Sequence, residues 1–236
     1  MKLYLSVDME GITGLADHTF VDSRQHNYER GRKIMTGEVN ACVEALLTHG
    51  ATDILVNDSH SKMNNLLIEE LHEEASLISG DVKPYSTYDA AVFLGYHARA
   101  SMKGVMSHSM IFGVRHFYIN DHPIGEMGFN AYVAGYYGVP VILVCGDDQA
   151  ALEAEKLMPG VKTVAVKETI SRSAVKCLTP AKVSTLISQQ VEAAMKQIHQ
   201  MKPLTPPEQP VLKIEFANYG QAEWANLMPS LKGQQR

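Results

Sequence analysis

Short apolar runs alternate along the chain with longer segments whose apolar residues recur at helical spacing. The apolar runs predict strands at "KLYLSV", "TDILVND", "AAVFLGYHA", "PVILVCGDD" and "TVAVKE". The amphipathic segments predict helices at "RGRKIMTGEVNACVEALLTHG", "NNLLIEELHEEA", "MGFNAYVAGYYG", "DDQAALEAEKLMPG" and "TPAKVSTLISQQVEAAMKQIHQM". Gly50 and Gly138 are expected to end helices, Asp147 or Asp148 to cap the start of one, and Thr179 to begin another. This alternation predicts an α/β fold, with a mostly parallel or mixed sheet and helices on both faces.

Two further regions complete the pattern. "GVMSHSM" and "HFYINDHPIG" predict a strand pair with a turn near Asp121 to Pro123. "KPLTPPEQP" carries four prolines, which is typical of a stiff linker, and it leads to a late predicted strand at "VLKIEFANY". We therefore predict an α/β domain over residues 1–202. A proline-rich linker with a C-terminal strand segment, over residues 203–236, is expected to pack on the same domain.

Composition narrows the classes of protein. The 236 residues are 45% hydrophobic and 20% charged, as in a globular protein with a full-sized core. The net charge of −5, without a Lys/Arg cluster, argues against nucleic acid as a partner. No stretch is long and apolar enough for a signal peptide or a membrane span, so we expect no membrane association and a cytoplasmic protein. Cys42, Cys145 and Cys177 are far apart in sequence, which predicts reduced core thiols.

Carboxylate and imidazole side chains recur where the predicted strands end. In chain order they are Asp8, Glu10, Asp58, His60, His97, Asp147 and Asp148. Ligands of open α/β sheets bind beyond the carboxyl ends of the strands. Asp8 and Glu10 would share one face of an extended chain, because side chains alternate with period two. Such oxygen and imidazole donors suit Zn²⁺ or a similar divalent ion, so the pattern predicts a metal site at these strand ends.

Simpler interpretations of the same residues stay open at this point. Asp8 and Glu10 could be helix caps or surface charges, and Asp58 could form a turn. His60 and His97 could each be polar loop residues. Their joint occurrence at successive strand ends favours the metal site, but spacing alone names no reaction.

Longer motifs resemble one family over nearly the whole chain. They are "SVDMEG", "VNDSHSKMNNL", "GYHARA", "GVMSHSMIFGVRHFYIN", "GEMGFNAYVAGYYGVPV", "ISRSAVKCL" and "IEFANYGQAEWANLMP". On these motifs the chain resembles the bacterial zinc-dependent D-aminopeptidases associated with dipeptide-permease operons, whose signature is S-x-D-x-E-G. The resemblance implies a metalloenzyme that hydrolyses short peptides with an N-terminal D-amino acid, of the D-alanine type.

The resemblance also implies particular site residues. The family's five ligands for two Zn²⁺ ions per subunit match Asp8, Glu10, His60, His97 and Glu126 here. A family histidine proposed to act in catalysis matches His108. Pattern alone would not select Glu126, since "GEMG" fits a turn equally well. The family assembles as a ring-stacked homodecamer, so the implied partners are short D-amino-acid peptides and further copies of the chain.

Charge supports two ions rather than one. The three carboxylates of Asp8, Glu10 and Glu126, with one hydroxide, balance two Zn²⁺, whereas a single Zn²⁺ would leave a buried excess of negative charge. Asp8 is the natural bridging ligand. In the expected mechanism one zinc polarises the scissile carbonyl and the zinc-bound hydroxide attacks it. His108 then protonates the leaving amine or stabilises the oxyanion.

Two alternatives to a D-aminopeptidase remain. One is another binuclear metal hydrolase, either an amidase or a phosphoesterase, and assays on D-alanyl peptides, amides and phosphate esters would distinguish it. The other is a non-catalytic peptide-binding protein, suggested by the operon association of the family. Metal analysis separates this class, because a binding protein needs no pair of zinc ions.

Overall fold

The computed structural model describes residues 1–80, 83–172, 174–229, 231 and 233. Its strands are β1 Lys2–Val7, β2 Asp53–Asp58, β3 Ala75–Ser79, β4 Ala90–Tyr96, β5 Val114–Ile119, β6 His122–Pro123, β7 Val141–Asp147, β8 Lys162–Ser171, β9 Ala174–Cys177 and β10 Leu212–Phe216. Its helices are α1 Tyr28–Thr48, α2 Glu126–Tyr136, α3 Asp148–Leu157, α4 Pro180–Lys196 and α5 Tyr219–Asn226. Within the described ranges, every helix is too short or too polar to cross a bilayer.

Seven strands form one sheet in the order β3-β2-β1-β4-β7-β8-β9. Neighbouring strands pair in parallel from β3 to β8, and β9 pairs antiparallel with β8. A smaller antiparallel sheet has the order β10-β5-β6. After β1 the chain winds to β2 and β3 on one side and then returns to β4 on the other. The carboxyl ends of β1 and β4 therefore flank the switch point at which open α/β sheets bind ligands.

Alternation along β1 supplies side chains to two cores. Leu3 and Leu5 pack under α1 and α4 on one face of the sheet, in a core that includes Ile187 of α4. Tyr4 points to the opposite face, where α2 and α3 add residues such as Ala131. Each fully buried side chain of this size contributes about 1.5–3 kcal/mol, so covering both faces stabilises the sheet strongly. The predicted α/β fold with helices on both faces is confirmed.

The predicted helix ends agree with the structure. The Asp147 side chain accepts a hydrogen bond from the Ala150 N–H (2.7 Å) at the start of α3. Thr179 caps α4 in the same way, through the Lys182 N–H at 3.4 Å. Gly50 and Gly138 follow α1 and α2 with φ of 96° and 76°, a left-handed conformation that terminates helices and favours glycine.

The helix predicted for "NNLLIEELHEEA" is wrong. This segment contains only a 3-10 turn at Ile68–Glu70 and then enters β3. Asn40 of α1 donates to the Glu70 carbonyl (2.7 Å) and accepts from the His72 N–H (2.8 Å). Because a distant helix satisfies these backbone groups, the segment does not need the hydrogen bonds of a helix of its own.

The strand predicted at "GVMSHSM" is also wrong. Met106 and Met110 have φ of 54° and 62°, which lies outside the strand region. The loop forms only one isolated bridge, between Ser109 and Ile111. The other half of the prediction is confirmed, because "HFYINDHPIG" supplies the β5–β6 hairpin.

The C-terminal part of the chain adds to the smaller sheet. Residues 202–210 have no regular secondary structure, and β10 then pairs with β5. The division at residues 202 and 203 stays a prediction. Within the predicted segment 203–236, residues 230, 232 and 234–236 lie outside the described residues, as does Ser173 of the "ISRSAVKCL" motif.

The cysteine prediction holds for two of three thiols. Cys42 and Cys145 are buried and free, whereas Cys177 is free but exposed. The difference arises because β9, which ends at Cys177, is the edge strand of the large sheet.

Candidate metal centre

Two glycines let the ends of β1 and β4 approach closely. The Gly11 N–H donates to the Gly95 carbonyl at 2.7 Å. A Cβ at Gly11 would lie 1.9 Å from the Tyr96 carbonyl oxygen, and one at Gly95 would lie 2.0 Å from that of Asp8. No larger residue fits at either position without moving backbone. This approach places Asp8 next to His97.

The structure brings together all six residues singled out by the family resemblance. Their donor atoms form three overlapping groups, each within 4.8 Å: Asp8, Glu10 and His60; Asp8, His97 and Glu126; Glu10, His97 and His108. Asp8, Glu10 and His97 each belong to two groups, and Asp8 is the residue shared by the two groups that consist of predicted ligands alone, as expected of a bridging carboxylate. Glu126 is the first residue of α2, and its Oε1 lies 3.6 Å from His97 Nε2 and 3.5 Å from His108 Nε2.

Each histidine of the cluster bonds a backbone carbonyl through one ring nitrogen. The pairs are His60 Nε2 with Val21 (2.9 Å), His97 Nδ1 with Ala98 (2.9 Å) and His108 Nδ1 with Met106 (2.8 Å). A carbonyl oxygen can only accept, so this ring nitrogen must carry hydrogen. In the neutral ring the other nitrogen then carries a free lone pair. Metal-binding histidines have this arrangement.

The second ring nitrogens point at carboxylates. His60 Nδ1 lies 2.9 Å from Glu10 Oε2 and 3.3 Å from Asp8 Oδ1. His97 Nε2 lies 3.4 Å from Asp8 Oδ2 and 3.6 Å from Glu126 Oε1. Two lone-pair donors at these distances repel each other unless a proton or a metal ion lies between them.

The cluster attracts positive charge strongly. Burial, reinforced by the charge of Glu10, raises the pKa of Asp8 to about 7. Burial opposes protonation of His60, but the charge of Glu10 outweighs it and raises the pKa of His60 to about 12. Burial likewise opposes protonation of His97, and Glu126 outweighs it, raising the pKa of His97 to about 10. The buried carboxylates therefore require compensating cations, whether protons or metal ions.

The donor set fits a metal. Asp8 Oδ2, Glu10 Oε2 and His97 Nε2 are buried and, within the described chain, make no hydrogen bond of acceptable geometry. Unsatisfied buried polar atoms are costly, and coordination to a divalent cation would satisfy all three. Carboxylate oxygen with imidazole nitrogen is a donor set that Zn²⁺ accepts.

His108 is held differently from the other two histidines. Its ring lies between His97 and Phe112, with centroid distances of 4.3 and 4.5 Å and interplanar angles of 11° and 27°. Its Nε2 lies 3.5 Å from Glu126 Oε1 and 3.9 Å from Glu10 Oε1. Stacking fixes the ring so that Nε2 faces the carboxylates, from where it could reach a substrate or an ion.

Three other predicted strand-end acids do not join the cluster. Asp58 accepts hydrogen bonds from the Asn65 and Leu66 N–H groups and, as in an Asx turn, from the His60 N–H at 3.3 Å two residues on. Asp147 caps α3, and Asp148 accepts from the Thr169 N–H at 2.9 Å. Backbone N–H groups occupy the carboxylates of all three residues, and for Asp58 the simpler interpretation, a turn, is correct.

Sequence reasoning missed a lysine that supports the turn after β1. Lys167 is 1% exposed, and its ammonium donates to the carbonyls of Glu10, Ile12 (3.1 Å) and Leu15 (2.7 Å). These bonds fix the backbone that carries the Glu10 carboxylate. The sequence gives little signal, since a lysine near the end of a strand is usually exposed.

A buried hydrogen-bonded chain was also missed. Ser6 Oγ lies 2.8 Å from both Ser59 Oγ and Tyr96 Oη, and Asn130 Nδ2 donates to Tyr96 Oη at 2.7 Å. Ser59 directly precedes His60, and Tyr96 directly precedes His97. Ser6 lies two residues before Asp8. Asn130 lies one helical turn after Glu126. The chain thus ties together the elements that carry the cluster. In the sequence, these four residues could have been singled out because each lies within four positions of a predicted ligand.

Three comparisons with known proteins give matches of the same kind. Residues 1–236 match the family model Peptidase_M55, described as D-aminopeptidase. The chain is 67% identical over 236 residues to a D-aminopeptidase of Bacillus subtilis (strain 168), covering 97% of this chain and 86% of that protein. It is also similar to the solved structure of the Zn-dependent D-aminopeptidase DppA from Bacillus subtilis, a self-compartmentalizing protease. That match has a TM-score of 0.96 and 66% identity, and covers 99% of this chain and 88% of the other.

Proposed function

Because the chain belongs to the D-aminopeptidase family, we propose that it is a zinc-dependent aminopeptidase that removes an N-terminal D-amino acid, of the D-alanine type, from short peptides. The observation that carries the proposal is the cluster of two buried carboxylates, Asp8 and Glu10, and the partly buried Glu126, faced by the second ring nitrogens of His60 and His97. Family membership favours this activity over the amidase, phosphoesterase and peptide-binding alternatives.

Two zinc ions per subunit are the proposed complement of the site, held by Asp8, Glu10, His60, His97 and Glu126. The proposal is supported by two donor groups that share Asp8 and by three carboxylates whose charge exceeds what one ion balances. When bound, the ions supply a Lewis acid for the scissile carbonyl and an acidified water, whose pKa falls to about 7 on zinc.

The chain's own residues orient the reaction and move a proton. The hydrogen bond from Nδ1 of His108 to the Met106 carbonyl leaves the Nε2 lone pair free to take up the proton that the attacking water releases and to pass it on. His108 donates that proton to the leaving amine nitrogen, or directs it at the oxyanion. Burial of Asp8 and Glu10, each 3% exposed, excludes bulk water and strengthens the electrostatic interactions at the cluster.

Assembly into a homo-oligomer, a decamer by family resemblance, is part of the proposal. It is supported by the relative described as self-compartmentalizing. Exposed apolar side chains also gather in the C-terminal part of the chain, including Trp224 and Leu227, at 75% and 71% exposure. Surfaces of this kind mark protein–protein interfaces.

The test is release of D-alanine from D-Ala-D-Ala by zinc-loaded protein, with L-Ala-L-Ala as the control substrate. We expect release from the D,D peptide only, loss of activity on chelation and recovery when zinc is returned. Elemental analysis should give close to two divalent ions per chain. The proposal fails if the loaded protein releases no D-alanine or if a chelator has no effect, and a reproducible value of one ion or fewer would reject the two-ion centre.

A further inference from the structure

Lys83 is a half-buried lysine next to the candidate metal centre. Its Nζ donates to Ser59 Oγ at 3.1 Å and to Asn57 Oδ1 at 3.3 Å. Tyr85, two residues later, is fully buried and packs its ring 4.4 Å from that of Tyr4. The backbone near Lys83 is therefore anchored in the core, and its ammonium is held beside the end of β2.

Among the described residues, the hydrogen-bond partners of the Lys83 ammonium are neutral. The ammonium carries three N–H groups, of which two bond neutral oxygens. Across the part of the chain that the structure describes, no carboxylate lies within ion-pair distance of Lys83 Nζ. Removing a cation from water without an anionic partner is costly. By contrast, the buried ammonium of Lys167 donates to three backbone carbonyls.

The position of Lys83 links it to the reacting centre. Its partner Ser59 directly precedes His60, whose ring faces Asp8 and Glu10. Burial lowers the pKa of Lys83, while the charges of Asp8 and Glu126 oppose that fall. These two carboxylates are committed to the cluster, so they do not supply Lys83 with a partner of its own.

We infer that Lys83 binds the C-terminal carboxylate of the peptide substrate and so directs the enzyme towards dipeptides with a free C-terminus. The inference rests on the proposed aminopeptidase function and names its substrate class. In a dipeptide only two atoms, the peptide nitrogen and the Cα, separate the scissile carbonyl carbon from the carboxylate carbon. A cation at the rim of the metal centre can therefore reach the carboxylate of a dipeptide, whereas each added residue moves that carboxylate away by up to about 3.6 Å.

The experiment pairs one substitution with one change in the substrate. Lys83→Gln removes the charge and keeps a polar side chain that can bond Ser59. The substrates are D-Ala-D-Ala and its C-terminal amide, which lacks the negative charge. Lys103→Gln is the matched control, because Lys103 is exposed and its change also removes one positive charge. Zinc content and melting temperature are measured on each protein.

The wild-type enzyme should prefer the free acid over the amide in kcat/KM, and Lys83→Gln should erase that preference. A charge-assisted hydrogen bond corresponds to about 10- to 100-fold in this ratio. The loss should fall on the acid, while the amide changes by less than about threefold. Lys103→Gln should keep the wild-type ratio.

The outcomes separate this inference from the proposed function. If the wild-type enzyme cleaves both substrates and Lys83→Gln lowers both equally, Lys83 does not bind the carboxylate, although the enzyme is still a D-aminopeptidase. A wild-type enzyme without preference for the acid overturns the inference in the same way. If zinc-loaded wild-type protein cleaves neither substrate, the proposed function fails and the role of Lys83 fails with it.

Discussion

At the scale of single residues, His108 stands apart from the other histidines of the cluster. His60 and His97 each face two carboxylates of the cluster within 3.6 Å, whereas His108 reaches its nearest carboxylate oxygen at 3.5 Å and the next at 3.9 Å. Burial, together with the neighbouring ring of His97, lowers the pKa of His108. Because the proposed set of five zinc ligands does not include His108, its Nε2 is left to act on the substrate.

We predict that His108→Ala retains zinc and fold but loses catalysis. Loss of one general acid or oxyanion donor typically costs about 10²- to 10⁴-fold in rate. The loss should fall mainly on kcat, since the group acts most strongly in the transition state. The measurement combines kcat, zinc content and melting temperature.

The exposed His122 provides the control, since His122→Ala should leave all three quantities unchanged. Two results would contradict the prediction for His108→Ala. Loss of one zinc ion would make His108 a ligand, and a kcat within about tenfold of wild type with full zinc would remove it from the mechanism.

At the scale of elements, the turn after β1 depends on contacts from elsewhere in the sequence. Lys167 of β8 bonds three of its carbonyls. The Thr13 N–H donates to Glu38 Oε2 of α1 at 3.1 Å, and Thr13 Oγ1 donates to the Leu178 carbonyl at 2.6 Å. Burial raises the pKa of Glu38 to about 7. The turn that aims Glu10 is thus fixed by β8, by α1 and by the residue that follows β9.

We predict that Lys167→Met destabilises the protein and weakens zinc binding together. Each buried carbonyl left without a donor costs roughly 1–3 kcal/mol, and the released turn no longer holds Glu10 in place. Chemical denaturation of the metal-free protein and zinc titration measure the two effects.

Lys176→Met is the matched control on the adjacent strand. Lys176 is exposed and pairs with Glu168 at 3.5 Å, and such surface pairs contribute about 0–1 kcal/mol. Equal unfolding free energies for the two variants would show that the carbonyl contacts of Lys167 do not stabilise the turn.

At the scale of the whole molecule, the C-terminal segment exposes many large apolar side chains. The exposed large hydrophobic residues from position 211 onwards are Val211, Leu212, Ile214, Tyr219, Trp224, Leu227, Met228 and Leu231. They lie in β10, in α5 and in the adjoining residues, and we call them the C-terminal apolar surface. Ile68, by contrast, is an exposed apolar residue well separated from them in the sequence. Single exposed apolar residues are common, whereas a group of this size indicates a covered surface.

We predict that the protein in solution has a mass of ten times the 26.0 kDa chain and that the C-terminal apolar surface is buried between copies. Trp224→Glu should lower the mass measured by light scattering, because a charge at an apolar contact costs free energy. Ile68→Glu should leave it unchanged. A wild-type monomer, or an intact assembly in Trp224→Glu, would contradict the prediction.

The sequence by itself determined the layered fold and most of the cluster. Strand period and helix period are local properties, so the α/β order and the caps at Asp147 and Thr179 follow from neighbouring residues. Asp8, His60 and His97 could be selected because parallel strands bring their carboxyl ends to one edge of the sheet. Glu126 and His108 needed family resemblance, because neither lies at a strand end.

The tertiary structure decided what depends on residues far apart in the sequence. Where a helix was predicted, hydrogen bonds from Asn40 hold a segment with a 3-10 turn instead. Where a strand was predicted, Met106 has a positive φ and lies in a loop. It also decided which strand-end acids face the cluster and which, like Asp58, bond backbone N–H groups instead. Lys83 and Lys167 acquire their roles only when the ends of distant strands meet. The free energy of these groups depends on burial and on partners in space, and neither property is encoded in the spacing of residues along the chain.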